Sequence, residues 1–152
     1  MAGFTYVVSF EMIDDTGSDL HLVFGTRNRR GLEKMKDAMW QVDPVNGVHY
    51  RDPRDPNQMM LDFDLSPHLE PLSHALLHML AFEEHTLADL QEHALLETVY
   101  RSPHATTAVR TMLAQGLIER HPPTTGQLTR TTRVRLTAAG RQRLTDSAPT
   151  LF

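Results

Sequence analysis

An irregular segment between Asp43 and Pro67 constrains the fold of this 152-residue chain more than any other feature. Its composition shifts to proline, aspartate, asparagine and glycine, and neither helical nor strand periodicity continues through it. Its prolines are Pro44, Pro53, Pro56 and Pro67. We therefore predict two structural units, residues 1–43 and 68–152, joined by an irregular acidic linker over residues 44–67. Because a chain of this size buries one substantial core, the first unit should be a small addition to the second.

The first unit has the pattern of a β-hairpin followed by a helix. Residues 4–11 and 20–24 are rich in β-branched and aromatic side chains, and they flank the turn-forming segment 14–19. Further along, apolar side chains recur at helical spacing at Leu32, Met35 and Met39. We expect this helix to pack against the hairpin.

The second unit contains start and stop signals for several helices. Leucines recur every three or four residues at Leu69, Leu72, Leu76 and Leu80. Thr86 is a typical N-cap, and Ser102 followed by Pro103 is another helix start, since proline is tolerated in the first turn. Gly116 can adopt the left-handed conformation that ends the helix begun at Ser102. Three helices are therefore predicted in the second unit before residue 117.

Two strands and a short last helix are predicted after Gly116. The strands cover residues 117–120 and 129–136, and the turn between them contains proline and glycine. The order helix, helix, helix, strand, strand, helix is the layout of a winged helix-turn-helix domain. The predicted fold class is α+β: an N-terminal β-hairpin plus helix, followed by a winged helix-turn-helix domain over residues 68–152.

Basic charge is concentrated in the last third of the chain. Residues 101–152 carry eight arginines and two carboxylates, although the net charge of the whole chain is −4. Clustered arginine is the electrostatic pattern of a nucleic-acid surface, because such surfaces gain affinity by neutralising phosphates. A solvated arginine-rich face is the alternative reading of the same residues.

The predicted winged helix places hydrogen-bonding side chains where such domains meet DNA. On the helix that starts at Ser102, residues His104, Thr107 and Thr111 are expected to face away from the apolar stripe. Strand alternation is expected to point Arg133 and Arg135 outward, with Arg130 nearer the wing tip. The predicted contacts with double-stranded DNA are Arg101, His104, Thr106, Thr107, Arg110, Thr111, Arg130, Arg133 and Arg135. The alternative is a winged helix used for protein contact, since a fold alone does not dictate its ligand.

One run in the first unit resembles a known family. Residues 24–26, Phe-Gly-Thr, are followed at residues 31–40 by Gly-Leu-Glu-x-Met-Lys-x-Ala-Met-Trp. This segment resembles the late part of the three-Cys-motif partner proteins, bacterial proteins usually encoded beside a radical-SAM-like three-Cys-motif protein. Their apolar C-terminal tail is similar to Leu151-Phe152, and they carry a winged helix. The resemblance implies an upstream methyltransferase-like α/β domain, which is absent from this chain. The chain is therefore either a piece of a larger protein or a shortened relative, and the sequence does not decide between these alternatives.

The same resemblance implies partners other than DNA. A three-Cys-motif protein is the leading candidate for a docked partner, and docking without DNA binding is the alternative function. If the hairpin is the end of a truncated sheet, its unpaired edge is expected to form a homodimer or to bind the missing part.

Several chemistries are not expected from this sequence. The chain has no cysteine, which excludes disulfides and thiolate-ligated metals. It has no glycine-rich phosphate loop, so we predict no cofactor and no catalysis by this chain alone. His74 and His78 are spaced i, i+4, but this spacing is weak evidence for a metal, and no metal site is predicted. No membrane-spanning or export segment is recognised, so a cytoplasmic protein without membrane contact is expected.

Overall fold

The computed structural model describes residues 3–13, 18–51 and 66–147. The chain divides into two compact units, Met1–His68 and Leu69–Phe152. The first contains strand β1 Tyr6–Ile13, strand β2 Asp19–Thr26, helix α1 Arg29–Val42 and strand β3 His49–Arg51. The second contains α2 Glu70–Leu80, β4 His85–Thr86, α3 Leu87–Glu97, α4 Ser102–Ala114, β5 Ile118–Arg120, β6 Arg133–Leu136 and α5 Ala138–Ser147. The α+β class, with an N-terminal β-hairpin followed by helices, is confirmed.

The sheet of the first unit has the strand order β2-β1-β3. β1 and β2 are antiparallel, and their register runs from Tyr6 opposite Thr26 to Ile13 opposite Asp19. This is the predicted hairpin. α1 begins after Asn28, whose side chain accepts the backbone N–H of Arg30.

β3 lies in the segment that the sequence predicts to be an irregular linker from residue 44. It pairs in parallel with the end of β1, where His49 lies opposite Glu11. The cause is Asp43, whose carboxylate accepts the backbone N–H groups of Val45, Asn46, Val48 and His49 at 3.1–3.2 Å. Burial acts to raise the pKa of Asp43, yet these four hydrogen bonds hold it below its usual value. The chain therefore turns back onto β1; residues 52–65 of the predicted linker lie outside the described part.

The core of the first unit forms between α1 and the sheet. Phe10, Leu32, Met39 and Trp40 are buried there. Lys36 is only 2% exposed, because it lies one helical turn after Leu32 on the same buried face, although a charged side chain is ordinarily found at the surface. Burial lowers the pKa of Lys36 to about 8, because the charged ammonium is poorly solvated there.

The second unit is a helical core with a three-stranded sheet in the order β4-β6-β5. Leu72, Leu76 and Leu80 of the predicted leucine stripe are buried, whereas Leu69 immediately precedes α2 and is half-buried. Leu90 of α3 and Val109 of α4 are buried as well. Thr86 caps α3 through a reciprocal pair of hydrogen bonds with Asp89, as its position predicted. Gly116, with φ of 69°, follows the end of α4. No helix in the described ranges is long and apolar enough to cross a membrane.

Two features of this sheet differ from the sequence-based expectation. β4 is two residues long and was not predicted; His85 and Thr86 pair with Val134 and Arg133 of β6. β6 is also shorter than the predicted strand 129–136, because residues 129–132 form a turn. In that turn the hydroxyl of Thr132 accepts the backbone N–H of Thr129, and the backbone N–H of Thr132 donates to the carbonyl of Thr129.

Candidate nucleic-acid interface

The exposed face of α4 carries Thr107, Arg110 and Thr111. The hydroxyl of Thr107 donates to the carbonyl of Pro103 at 3.3 Å, and that of Thr111 donates to the carbonyl of Thr107 at 3.1 Å. Each threonine therefore uses its proton within the helix and keeps its methyl group and acceptor lone pairs for outside contacts. Arg110 lies between them on the same face. These three predicted contacts are accessible to a ligand.

His104 does not face outward, and the expectation that it contacts DNA bases is corrected. Its side chain is 5% exposed and lies edge-on to Tyr100, with ring centroids 5.9 Å apart. Burial, and secondarily the positive charge of Arg101, lower the pKa of His104 to about 4. The imidazole is therefore neutral at neutral pH. Its buried neighbours Ala108 and Met112 follow at i+4 and i+8, so His104 belongs to the apolar face of α4.

Arg101 also contacts His104. It precedes α4, is half-buried, and its Nη2 lies 3.3 Å from Nε2 of His104. Its backbone N–H donates to Nδ1 of His104 at 3.3 Å. Arg101 therefore helps to fix the start of α4, a structural role that the sequence did not indicate.

The two arginines of β6 are paired with carboxylates of the same unit. Nη1 of Arg133 lies 2.9 Å from Oε1 of Glu84, and Nε of Arg135 lies 2.7 Å from Oε1 of Glu119. Glu84 also contacts Nδ1 of His121 at 2.6 Å. The hydrogen bond from Arg133, followed by that from His121, lowers the pKa of Glu84. Arg133 and Arg135 point outward as predicted, but a phosphate would have to compete with these carboxylates.

Arg130 lies in the turn just before β6, against the start of α3, and not near the tip of the β5–β6 connection as predicted. Its carbonyl accepts the backbone N–H of Ala88 at 2.9 Å, and the carbonyl of Thr132 accepts that of Leu87 at 2.8 Å. These two bonds attach the threonine-rich turn to the first turn of α3. Arg130 is thereby brought toward the face of α4 that carries Arg110.

Arg110 and Arg130 line one cleft of about 440 Å³. Its other lining residues are Gln91, Ser102, Pro103, Thr106 and Thr107. In the part of the chain that the structure describes, neither guanidinium has a carboxylate partner. None of the described lining residues is acidic, so this lining is positively charged.

Hydrogen bonds between α3 and α4 shape this cleft. The side-chain amide of Gln91 donates to the hydroxyl of Thr106 at 2.9 Å, and the hydroxyl of Ser102 donates to the carbonyl of Gln91 at 3.3 Å. Thr106, a predicted contact, is thus held half-buried on the cleft wall. Gln91 and Ser102 were not predicted as lining residues, because their positions depend on how the two helices pack. Two arginines with nearby amide and hydroxyl groups are suited to binding phosphate oxygens.

The arrangement of the histidine and carboxylate side chains in the residues described bears on metal binding. No three or more histidine, aspartate or glutamate side chains converge there in an arrangement that could hold a metal ion. His74 and His78 contact each other edge to face on α2, with ring centroids 4.5 Å apart.

Fold and site together define an α+β protein with an arginine-lined cleft between the second and third helices of its second unit and the turn that precedes β6. Comparisons with protein-family models, with curated proteins and with solved structures found no match to this chain. The resemblance to three-Cys-motif partner proteins therefore stays a prediction.

Proposed function

We propose that the second unit is a winged helix-turn-helix domain that binds double-stranded DNA. The order α2, β4, α3, α4, β5, β6 and the sheet order β4-β6-β5 support this assignment. α3 and α4 are joined by the short segment 98–101, as in a helix-turn-helix, where the second helix enters the major groove. That helix is α4 here.

The cleft shared by Arg110 and Arg130 carries the proposal. Exposed arginines without carboxylate partners keep their full charge for an external anion, and a duplex offers closely spaced phosphates. Ser102, Thr106 and Gln91 add neutral hydrogen-bonding groups around the same space. Such groups typically fix the register of a protein on the DNA backbone.

In this arrangement Thr107, Arg110 and Thr111 of α4 face the major groove of the DNA, and Arg130 contacts the adjacent DNA backbone. Threonine methyl groups suit the thymine methyl, and arginine can bind guanine or a phosphate in a bidentate manner. Arg133 and Arg135 contribute less, because each must first leave Glu84 or Glu119. His104 and Arg101 stabilise the start of α4 and do not contact the DNA bases.

Binding to a fluorescent random-sequence duplex tests the proposal. The wild type and the double variant Arg110→Ala/Arg130→Ala are titrated by anisotropy at about 50 and about 200 mM salt, where phosphate contacts weaken with salt. If Arg110 and Arg130 each contact a phosphate, the double variant should reduce the slope of log K against log salt by about 2, and by about 1 if Arg110 contacts a base instead.

The matched control is Arg141→Ala/Arg143→Ala, which removes the same charge from α5, outside the cleft. We expect it to change the slope much less, because Arg143 is paired with Glu70 at 2.7 Å. An equal loss in both double variants would show a general charge effect and contradict a specific role for the cleft.

A protein-docking function is the second candidate, favoured by Phe82. This side chain is 90% exposed at the end of α2, beside a pocket of about 200 Å³ whose apolar lining includes Leu80 and Leu136. On the family resemblance, the partner would be a three-Cys-motif protein. No duplex binding at the lower salt, together with partner binding that Phe82→Ser abolishes and salt barely affects, would favour docking over DNA binding.

A further inference from the structure

β2 presents a long exposed strand edge. β1 occupies one side of β2, and no strand in the described ranges pairs with its other side. The strand is eight residues long, and Leu20, Leu22 and Val23 are exposed on it, Val23 at 65%. An exposed apolar edge of this length is a template for pairing with another strand.

Exposed apolar side chains continue from β2 onto β1. Val23 lies opposite Ser9, and the neighbouring pair is Gly25 opposite Val7, so Val7 and Val23 are on the same face. Val7 is exposed, and Phe4 lies against Gly25 on that face. The other face carries the exposed Leu20 and Leu22. A partner strand beside β2 would therefore cover apolar surface on both faces.

The charges at the two ends of the strand indicate which strand fits. β2 begins at Asp19, and Arg27 follows its last residue. We propose that β2 pairs antiparallel with β2 of a second copy of this chain, in the register centred on Val23. That register places Asp19 of each copy opposite Arg27 of the other, giving two complementary charge pairs.

The same register also fits the apolar side chains. Leu22 of one copy lies opposite Phe24 of the other, and Leu20 lies opposite Thr26. Aliphatic–aromatic pairs directly across antiparallel strands stabilise sheets. Centring on Leu22 instead would place Asp19 opposite Gly25 and lose the charge pairing. The side-chain pattern therefore selects one register.

The dimer joins two three-stranded sheets into one six-stranded sheet. It depends only on residues of the first unit, so it does not rest on DNA binding by the second. Its failure and the failure of the proposed function are therefore separate results. A small sheet gains stability in this way, because additional strands satisfy backbone groups at its edge.

Sedimentation equilibrium of the full chain over a wide concentration range tests the proposal. The wild type should show a monomer–dimer equilibrium. Val23→Lys places two lysines opposite each other at the centre of the interface, and should raise the dimer dissociation constant at least about tenfold. Val42→Lys is the matched control: Val42 is an exposed apolar residue of the same unit at the end of α1, and its change should leave the constant unaltered.

A charge exchange tests the register. Asp19→Arg and Arg27→Asp should each weaken the dimer, whereas the double variant should restore it, because the opposite charges again face each other. Nε of Arg27 donates to the carbonyl of Gly3, a bond that Arg27→Asp and the double variant both lose. Restoration of the dimer in the double variant relative to Arg27→Asp therefore isolates the contact between copies.

Thermal unfolding of each variant confirms that the first unit is still folded. A monomer at every concentration, or a dimer insensitive to Val23→Lys, overturns the proposed interface. Weakening by both single charge variants without restoration in the double variant overturns the register.

Discussion

Replacing Glu84 with glutamine should increase the salt dependence of duplex binding. Glu84 holds Arg133 through a contact of 2.9 Å and His121 through one of 2.6 Å, so its charge keeps Arg133 away from a phosphate. Glutamine has nearly the same shape without the charge. If Arg133 then forms one additional phosphate contact, the slope of log K against log salt steepens by about 0.9, which is an additional affinity loss of about 3.5-fold between 50 and 200 mM salt.

Fluorescence anisotropy with one random-sequence duplex at several salt concentrations measures this slope. Binding at the lower salt should also become tighter. Glu70→Gln is the control, because it removes the same charge but releases Arg143 of α5, which does not line the cleft. An unchanged slope for Glu84→Gln would show that Arg133 does not reach a phosphate, and equal steepening in both variants would refute a local effect.

Three further predictions concern stability and are measured by urea unfolding monitored by circular dichroism. The pKa of His104 in the folded state is about 4, below its ordinary 6.5, so the unfolded chain takes up a proton first and stability is lost as pH falls from 6.5 to 4. The His104→Gln variant should lose less free energy of unfolding than the wild type between pH 6.5 and 4. An equal loss in the two proteins would contradict the assignment of this pH dependence to His104. Leu90→Ala, at a fully buried position of α3, should cost about 2–5 kcal/mol, and a cost below about 1 kcal/mol would contradict tight packing. Gly47→Ala should destabilise the first unit by about 1 kcal/mol or more, since φ is 71° and the added Cβ meets the Trp40 indole; an unaltered midpoint would refute this.

Local signals in the sequence predicted most helices and the hairpin. The leucine spacing of α2, the Thr86 cap of α3 and the Ser102-Pro103 start of α4 each act within one or two helical turns, so they can be read without knowing the fold. The β-branched and aromatic runs of β1 and β2 are similarly local. Apart from β4, the order of the elements in the second unit followed from local signals of this kind.

Long-range pairing explains what the sequence did not predict. β4 is two residues long and exists because β6 offers it an edge, and β3 forms because Asp43 turns the chain back to β1. His104 and Lys36 are polar residues on buried helix faces, and residue type alone assigns them to the surface. Glu84 is 49 residues from Arg133 in sequence, so no local pattern connects them.

Pairing with carboxylates and carbonyls reduces the number of C-terminal arginines that are available to bind phosphates. Among the arginines of residues 101–152, three are paired with carboxylates: Arg133, Arg135 and Arg143. Arg120 is committed to the carbonyls of Thr124 and Gly126. A single copy therefore offers fewer arginines to phosphates than a charge count indicates, and binding by one cleft should be weak and salt-sensitive. Two copies joined through β2 would double the cleft arginines. The slope against salt should then be steeper at protein concentrations above the dimer dissociation constant than below it, and Val23→Lys should remove this concentration dependence without altering the cleft.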